Sequence, residues 1–73
     1  MAIKKRSINI HGHQTSISLE EEFWSELKDI AERETLSMNK LIAKIDDERD
    51  PMGYNLSSAI RIYVLKTLTK TAL

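Results

Sequence analysis

Two rhythms of apolar residues divide the chain. Residues 14–19 read Gln-Thr-Ser-Ile-Ser-Leu, and Glu20-Glu21-Glu22-Phe23-Trp24 then opens a different spacing. Side chains alternate along a strand with a period of two, so Thr15, Ile17 and Leu19 share one face and Gln14, Ser16 and Ser18 the other. The pattern predicts one short strand with an apolar side and a small polar side. A strand this short needs a partner. No later segment alternates as cleanly, so the simplest partner is the same strand of a second copy. Residues 7–11, Ser-Ile-Asn-Ile-His, also alternate, but Ile8 and Ile10 sit on even positions. The phase changes at His11-Gly12-His13, where Gly12 permits a bend or bulge. An intrachain hairpin through Gly12 is the alternative, although the turn lacks the usual Asn-Gly or Asp-Gly signal. The favoured reading is a flexible basic arm over residues 1–12 that leads into the ribbon.

Helical spacing follows. Phe23, Leu27, Ile30 and Ala31 repeat at i, i+4, i+7 and i+8 and predict a helix from residue 19 or 20 to 34. Ser18 with Glu21 reads as a capping box, and Glu20–Glu22 suit the positive end of the helix dipole. Thr35-Leu36-Ser37 is a tight turn, with Ser37 as N-cap of a second helix. That helix carries Met38, Leu41, Ile42 and Ile45 inward and fades into Asp46-Asp47-Glu48. Asp50-Pro51-Met52-Gly53 predicts a break. Asn55 or Ser57 caps a third helix, whose Leu56, Ile60, Val64, Leu65 and Leu68, widened by Ile62 and Tyr63, predict burial over most of its surface. The predicted organisation is a core over 13–50 with a helical extension over 51–73, within one domain.

Size and composition narrow the class. A domain near the size of this 73-residue chain buries only about 60% of its unfolded surface and is marginal alone. There is no cysteine, so neither a disulfide nor a thiolate metal site supports it, which leaves oligomerisation. No apolar run approaches the ~20 residues that span a bilayer. The basic start Met1-Ala2-Ile3-Lys4-Lys5-Arg6 leads into no apolar h-region, so no signal peptide is expected. These readings predict a cytoplasmic protein with no membrane partner.

Net charge is zero, yet it is unevenly spread. Residues 1–19 carry +3, residues 20–50 carry −6 and residues 51–73 carry +3. The basic end adjoins the polar strand, with His11 and His13 beside it. Local charge matters more for phosphate contact than the chain total. A two-stranded ribbon also has the width of the DNA major groove.

The order strand, helix, tight turn, helix resembles the ribbon-helix-helix family of bacterial repressors, which includes the Arc and Met repressors, from roughly residue 13 to 45. The string His13-Gln14-Thr15-Ser16-Ile17-Ser18-Leu19-Glu20, with Phe23-Trp24, Leu36-Ser37, Ile45-Asp46 and Asn55-Leu56-Ser57-Ser58-Ala59, resembles a subgroup of small bacterial proteins with that domain. The resemblance implies a mainly α fold with one short β-strand: an intertwined homodimer with an intermolecular antiparallel two-stranded ribbon, plus an extra C-terminal helix. It implies base contacts from Gln14, Ser16 and Ser18, and a phosphate held at the start of the second helix by Ser37, Met38 and Asn39. Two departures stand out. Thr35 occupies a turn position where many members carry Gly, and Ser18 one where many carry Arg or Lys. Gln14 pairs well with adenine, whereas two serines discriminate weakly.

Lys4, Lys5, Arg6, His13 and Lys40 are further phosphate-contact candidates, which add affinity without sequence information. The expected dimer core is Ile17, Leu19, Phe23, Trp24, Leu27, Ile30, Leu41, Ile42 and Ile45, with Thr15 facing it. His11-Gly12-His13 has no nearby Cys or well-placed carboxylate, so no metal is expected, and no cofactor motif is present. Glu20–Glu22 point different ways on a helix, and no nucleophile, base and orienter form a set, so no enzyme is expected. The leading expectation is a homodimeric, sequence-specific DNA-binding regulator, acting as a repressor on a two-fold symmetric operator and pairing dimers on neighbouring half-sites. An antitoxin-like or adaptor protein, holding a protein partner with residues 56–68, is the first alternative. A small interaction protein with no nucleic-acid role is the second.

Overall fold

The computed structural model describes residues 3–48 and 55–72, with side chains described to residue 70. Two strands, β1 (Ile3–Ile10) and β2 (His13–Glu20), are followed by α1 (Glu21–Arg33), α2 (Met38–Glu48) and α3 (Leu56–Ala72). The fold is mainly helical, with one two-stranded antiparallel ribbon. The expected break at Asp50-Pro51-Met52-Gly53 lies outside the described residues.

The ribbon is made within one chain, and this corrects the reading of residues 1–12 as an arm feeding an intermolecular strand pair. From Ile3 onward that segment is strand β1, paired with β2 from Ile3 opposite Glu20 to Ile10 opposite His13. His11 and Gly12 form the turn, with φ of 52° and 77°. Positive φ at both central residues is what a type I′ hairpin turn requires. Glycine takes it at no steric cost. Histidine is one of the few other side chains enriched there. The phase change noted at this point is the mark of the hairpin. With two turn residues, an even position of β1 faces an odd position of β2. Ile8 and Ile10 therefore join Ile17 and Leu19 on one buried face.

The helices pack against that face. Leu27, Ile30 and Ala31 of α1, Leu41, Ile42 and Ile45 of α2, and Ala59, Ile60 and Val64 of α3 complete the core. Of the residues expected between two copies, Ile17, Leu19, Leu27, Ile30, Leu41, Ile42 and Ile45 are buried inside the single chain. Phe23 and Trp24 are half-buried against them. Thr15 shares the apolar face of β2 but is exposed. The third helix contributes to this core, yet it is not buried on most of its surface: Leu65 is 60% exposed and Leu68 39%. Its inward row runs through Leu56, Ile60 and Val64; Leu65 falls on the far side of the helix, and Leu68, one turn beyond Val64, is still exposed.

Local signals set the helix ends. Ser37 Oγ accepts the Lys40 amide at 3.1 Å, and Asn55 Oδ1 accepts the Ser58 amide at 2.9 Å, so each caps the helix that follows. The Ser18–Glu21 capping box does not form. Ser18 belongs to the strand, Glu20 is the N-cap of α1, and no side chain caps it. The α1 terminus is a Schellman motif, with Leu36 N–H donating to Ala31 O at 2.9 Å and Thr35 N–H to Glu32 O at 3.1 Å. Thr35 takes the left-handed position with φ of 53°.

Acidic residues at the strand–helix junction tie the ribbon to the helices. Glu21 Oε1 accepts from Lys4 Nζ at 3.1 Å and from an Arg6 guanidinium nitrogen at 2.9 Å. Arg6 also lies 4.3 Å above the Trp24 ring centroid, a cation–π stack. Arg61 of α3 donates to Glu20 Oε1 at 2.7 Å and reaches the Ser18 carbonyl at 3.4 Å. The Arg61 hydrogen bond holds the Glu20 carboxyl below its ordinary value of 4.5. The Lys4 hydrogen bond, with Arg6 beside it, does the same for Glu21.

Two outcomes follow from this arrangement. A β-branched residue in the left-handed region is strained, so Thr35→Gly raises stability by about 1 kcal/mol at most, read as a Tm rise of about 4–8 °C for a domain this small. A decrease would show that the Thr35 hydroxyl, which donates to Glu34 O at 2.6 Å, outweighs the backbone strain. The depressed Glu20 and Glu21 groups stabilise the fold fully above their unfolded value of 4.5, and this contribution is lost as pH falls through their lower folded values. Urea midpoints therefore fall on acidification below that value, and in Glu20→Gln with Glu21→Gln the fall is shallower. An unchanged acid slope in the double variant would remove these carboxylates from the account.

Candidate nucleic-acid interface

The hairpin register sorts the ribbon into two chemically different faces. Directly opposed residues share a face in an antiparallel pair. Lys5 stands opposite Ser18, Ser7 opposite Ser16 and Asn9 opposite Gln14. All six are exposed. From Lys5 to Asn9 and from Gln14 to Ser18 the face turned away from the helices is wholly polar. Two amides stand at the turn end, hydroxyls in the middle and one ammonium at the open end.

The structure gathers Gln14, Ser16 and Ser18 in one row, as the alternation predicted. It adds Ser7 and Asn9, which the sequence reading missed. The signal was present in the Ser7-Ile8-Asn9-Ile10 alternation, but without the hairpin those polar positions had no register relative to β2. Asn9 is the more consequential addition, because asparagine, like glutamine, presents an acceptor and a donor that match adenine N6 and N7.

The basic segment does not act as one patch. Lys5 falls on the polar face. Lys4 and Arg6 fall on the other, where Glu21 pairs with both. The Arg6 Nε is buried with no hydrogen-bond partner among the described residues. Arg6 is thus stacked and ion-paired at the ribbon's root, whereas the Lys4 ammonium remains largely exposed. His13 shares the face of Ile10, opposite it at the turn end, and is exposed.

The start of α2 abuts the ribbon. Asn39 Oδ1 accepts the Asn9 backbone amide at 3.4 Å, on the outer edge of β1. Ser37 caps the Lys40 amide, and the helical ladder leaves the Met38 and Asn39 amides without intrahelical acceptors. Free amides and the positive end of the helix dipole favour an anion. Ser37, Asn39 and Lys40 are exposed and Met38 is half-buried against the core. A polar strand face and a helix start thus lie side by side. Among the described residues no helix is long and apolar enough to cross a membrane.

Comparison with known proteins agrees with this geometry. No curated protein and no solved structure gives a significant match. The sequence does match the ribbon-helix-helix domain, over residues 3–68. That span takes in both strands, all of α1 and α2, and most of α3. The chain therefore belongs to the ribbon-helix-helix family, whose members are regulatory DNA-binding modules, commonly transcription regulators or antitoxins that typically bind DNA as dimers.

Proposed function

We infer that this protein is a sequence-specific transcriptional regulator, a repressor, which lays the polar face of its hairpin in the major groove of double-stranded DNA. The observation that carries this reading is the continuous polar face of six exposed side chains, set beside the free amides of α2. A two-stranded ribbon fits the major groove. In this reading Gln14, Ser16 and Ser18 read base edges together with Asn9 and Ser7. Ser37, Met38, Asn39 and Lys40 hold one phosphate and Lys5 and His13 others. Glu21 competes with DNA for Lys4 and Arg6, so Lys5 is the principal cation of the basic segment. The protein acts as a cytoplasmic homodimer, each copy presenting its own ribbon, and dimers pair on neighbouring sites.

A second reading, an antitoxin-like or adaptor protein, is favoured by one observation. Leu65 and Leu68 leave apolar surface exposed near the end of α3, while Leu56, Ile60 and Val64 of that helix are already committed to the core. In this reading that surface holds a protein partner while the ribbon still binds DNA.

Fluorescence anisotropy against random and promoter-derived duplexes tests the first reading. Binding falls steeply between about 50 and 200 mM salt, by ~10³-fold or more if six or more phosphates are engaged. Asn9→Ala and Gln14→Ala each cost about 1–3 kcal/mol on the preferred duplex and little on random DNA. Equal losses on every duplex would argue against direct readout. Lys5→Ala weakens all duplexes alike and reduces the salt slope by about 1. Absence of binding at the lower salt would sink the groove reading altogether. For the second reading, Leu65→Glu with Leu68→Glu remains folded, dimeric and DNA-binding and loses only its protein partner. Conversion to a monomer in sedimentation would instead assign that surface to self-association.

A further inference from the structure

The hairpin turn brings one side chain able to ligate a metal, His11, beside two consecutive ones at the end of α2, Asp46 and Asp47. His11 Nε2 stands 2.8 Å from Asp47 Oδ1. One ligand atom from each of His11, Asp46 and Asp47 falls within 4.8 Å of the other two. Ligand atoms about 2.0–2.2 Å from a tetrahedral zinc-type ion stand roughly 3.3–3.6 Å apart around it. The 2.8 Å His11–Asp47 contact is itself a hydrogen bond, and an ion taking the place of its proton would part the two atoms by roughly 0.5–0.8 Å. Half of the His11 side chain and 63% of the Asp47 side chain are exposed, which leaves an open path for an ion and for waters that complete its shell.

The electrostatics of α2 point the same way. Among the described residues its last turn holds Asp46, Asp47 and Glu48 and no basic residue. Carboxylates at a helix C-terminus face the negative end of the macrodipole, which is unfavourable. The helix dipole favours a cation there. The donor set selects the kind of ion. Magnesium and calcium take oxygen ligands, whereas imidazole suits zinc and the other late first-row divalent ions.

We propose that His11, Asp46 and Asp47 form a binding site for a divalent transition-metal ion, which staples the turn of the hairpin to the end of α2. The site is independent of the DNA-binding reading, since its ligands lie off the polar face of the ribbon. It was not legible in the sequence, where His11 had no carboxylate near it. The hairpin brings it beside residues 35 and 36 positions further along the chain.

Titration of the full chain with Zn(II) and Co(II), by calorimetry and visible absorption, tests the proposal. The expected result is one ion per chain, and a Tm rise of about 11–22 °C once free Zn(II) reaches about 100 times its Kd. His11→Asn is the informative variant. Asparagine accepts the left-handed backbone, and Asn-Gly is the favoured pair in this turn, so the hairpin persists while the imidazole is lost. His11→Asn and Asp47→Asn each weaken Zn(II) binding at least tenfold and abolish the Co(II) bands, and His13→Asn leaves both unchanged. Four results would overturn the site: no saturable binding at millimolar Zn(II), full binding in His11→Asn, equal loss in His13→Asn, or Mg(II) binding as tightly as Zn(II).

Discussion

The two-residue turn at His11-Gly12 is the constraint on which the rest of the structure depends. Its length fixes the register of β1 on β2, and register in a half-buried ribbon decides which side chains meet the core. One residue more or fewer would turn Ile8 and Ile10 to the side of Ser16 and Ser18 and bring Ser7 and Asn9 against Leu27 and Ile42. Instead four apolar side chains of the ribbon meet the helices, and the polar residues between them remain outside. The positive φ at His11 is the local cost of that outcome. The burial of Ile8, Ile10, Ile17 and Leu19 offsets it, at roughly 1.5–3 kcal/mol for each large aliphatic side chain removed from water.

The junction between β2 and α1 is a second organising element, and its work is electrostatic. Glu20 and Glu21 are consecutive but face opposite neighbours. Glu20 takes Arg61 from α3, and Glu21 takes Lys4 and Arg6 from β1. Surface ion pairs contribute little individually, about 0–1 kcal/mol. Here they meet at one short segment and include an arginine stacked on Trp24, so they orient elements more than they stabilise them. They also divide the chemistry of the N-terminal segment. Of three consecutive basic residues, two are drawn to the carboxylates of the fold and Lys5 is left on the exposed polar face.

The helices were legible in the sequence from their apolar spacing, and α2 and α3 also from their caps. Phe23, Leu27 and Ile30 marked α1, Ser37 marked the start of α2, and Asn55, one of two candidates with Ser57, that of α3. The alternation of β2 was equally plain, and with it the row of Gln14, Ser16 and Ser18. What escaped was pairing. A period-two pattern states which residues share a face, not which strand lies alongside. Ile8 and Ile10 were visible, but their even phase looked like a mismatch until a type I′ turn was placed between the strands. His-Gly is a weak turn signal beside Asn-Gly, so the hairpin was the less favoured alternative. The Arg6–Trp24 stack and the His11–Asp47 pair were hidden for the same reason, since both depend on tertiary approach. Burial on α3 was overestimated because its apolar residues run round much of the helix, whereas a neighbour covers only one side.

Closing the ribbon within a single chain also changes what kind of object it is. A ribbon formed by two copies of one strand carries a two-fold axis through its centre, so its two ends are identical. The ribbon described above has no such axis. One end of its polar face carries the Lys5 ammonium opposite a serine, and the other carries the Asn9 and Gln14 amides. It therefore has a head and a tail. On the groove-binding function proposed above, a duplex lying along it would meet different chemistry at each end and be held in one direction only, so the sequence read by one ribbon would be inherently non-palindromic. On that same proposal, a dyad in the whole recognition site would come from how two chains are arranged, not from the ribbon itself.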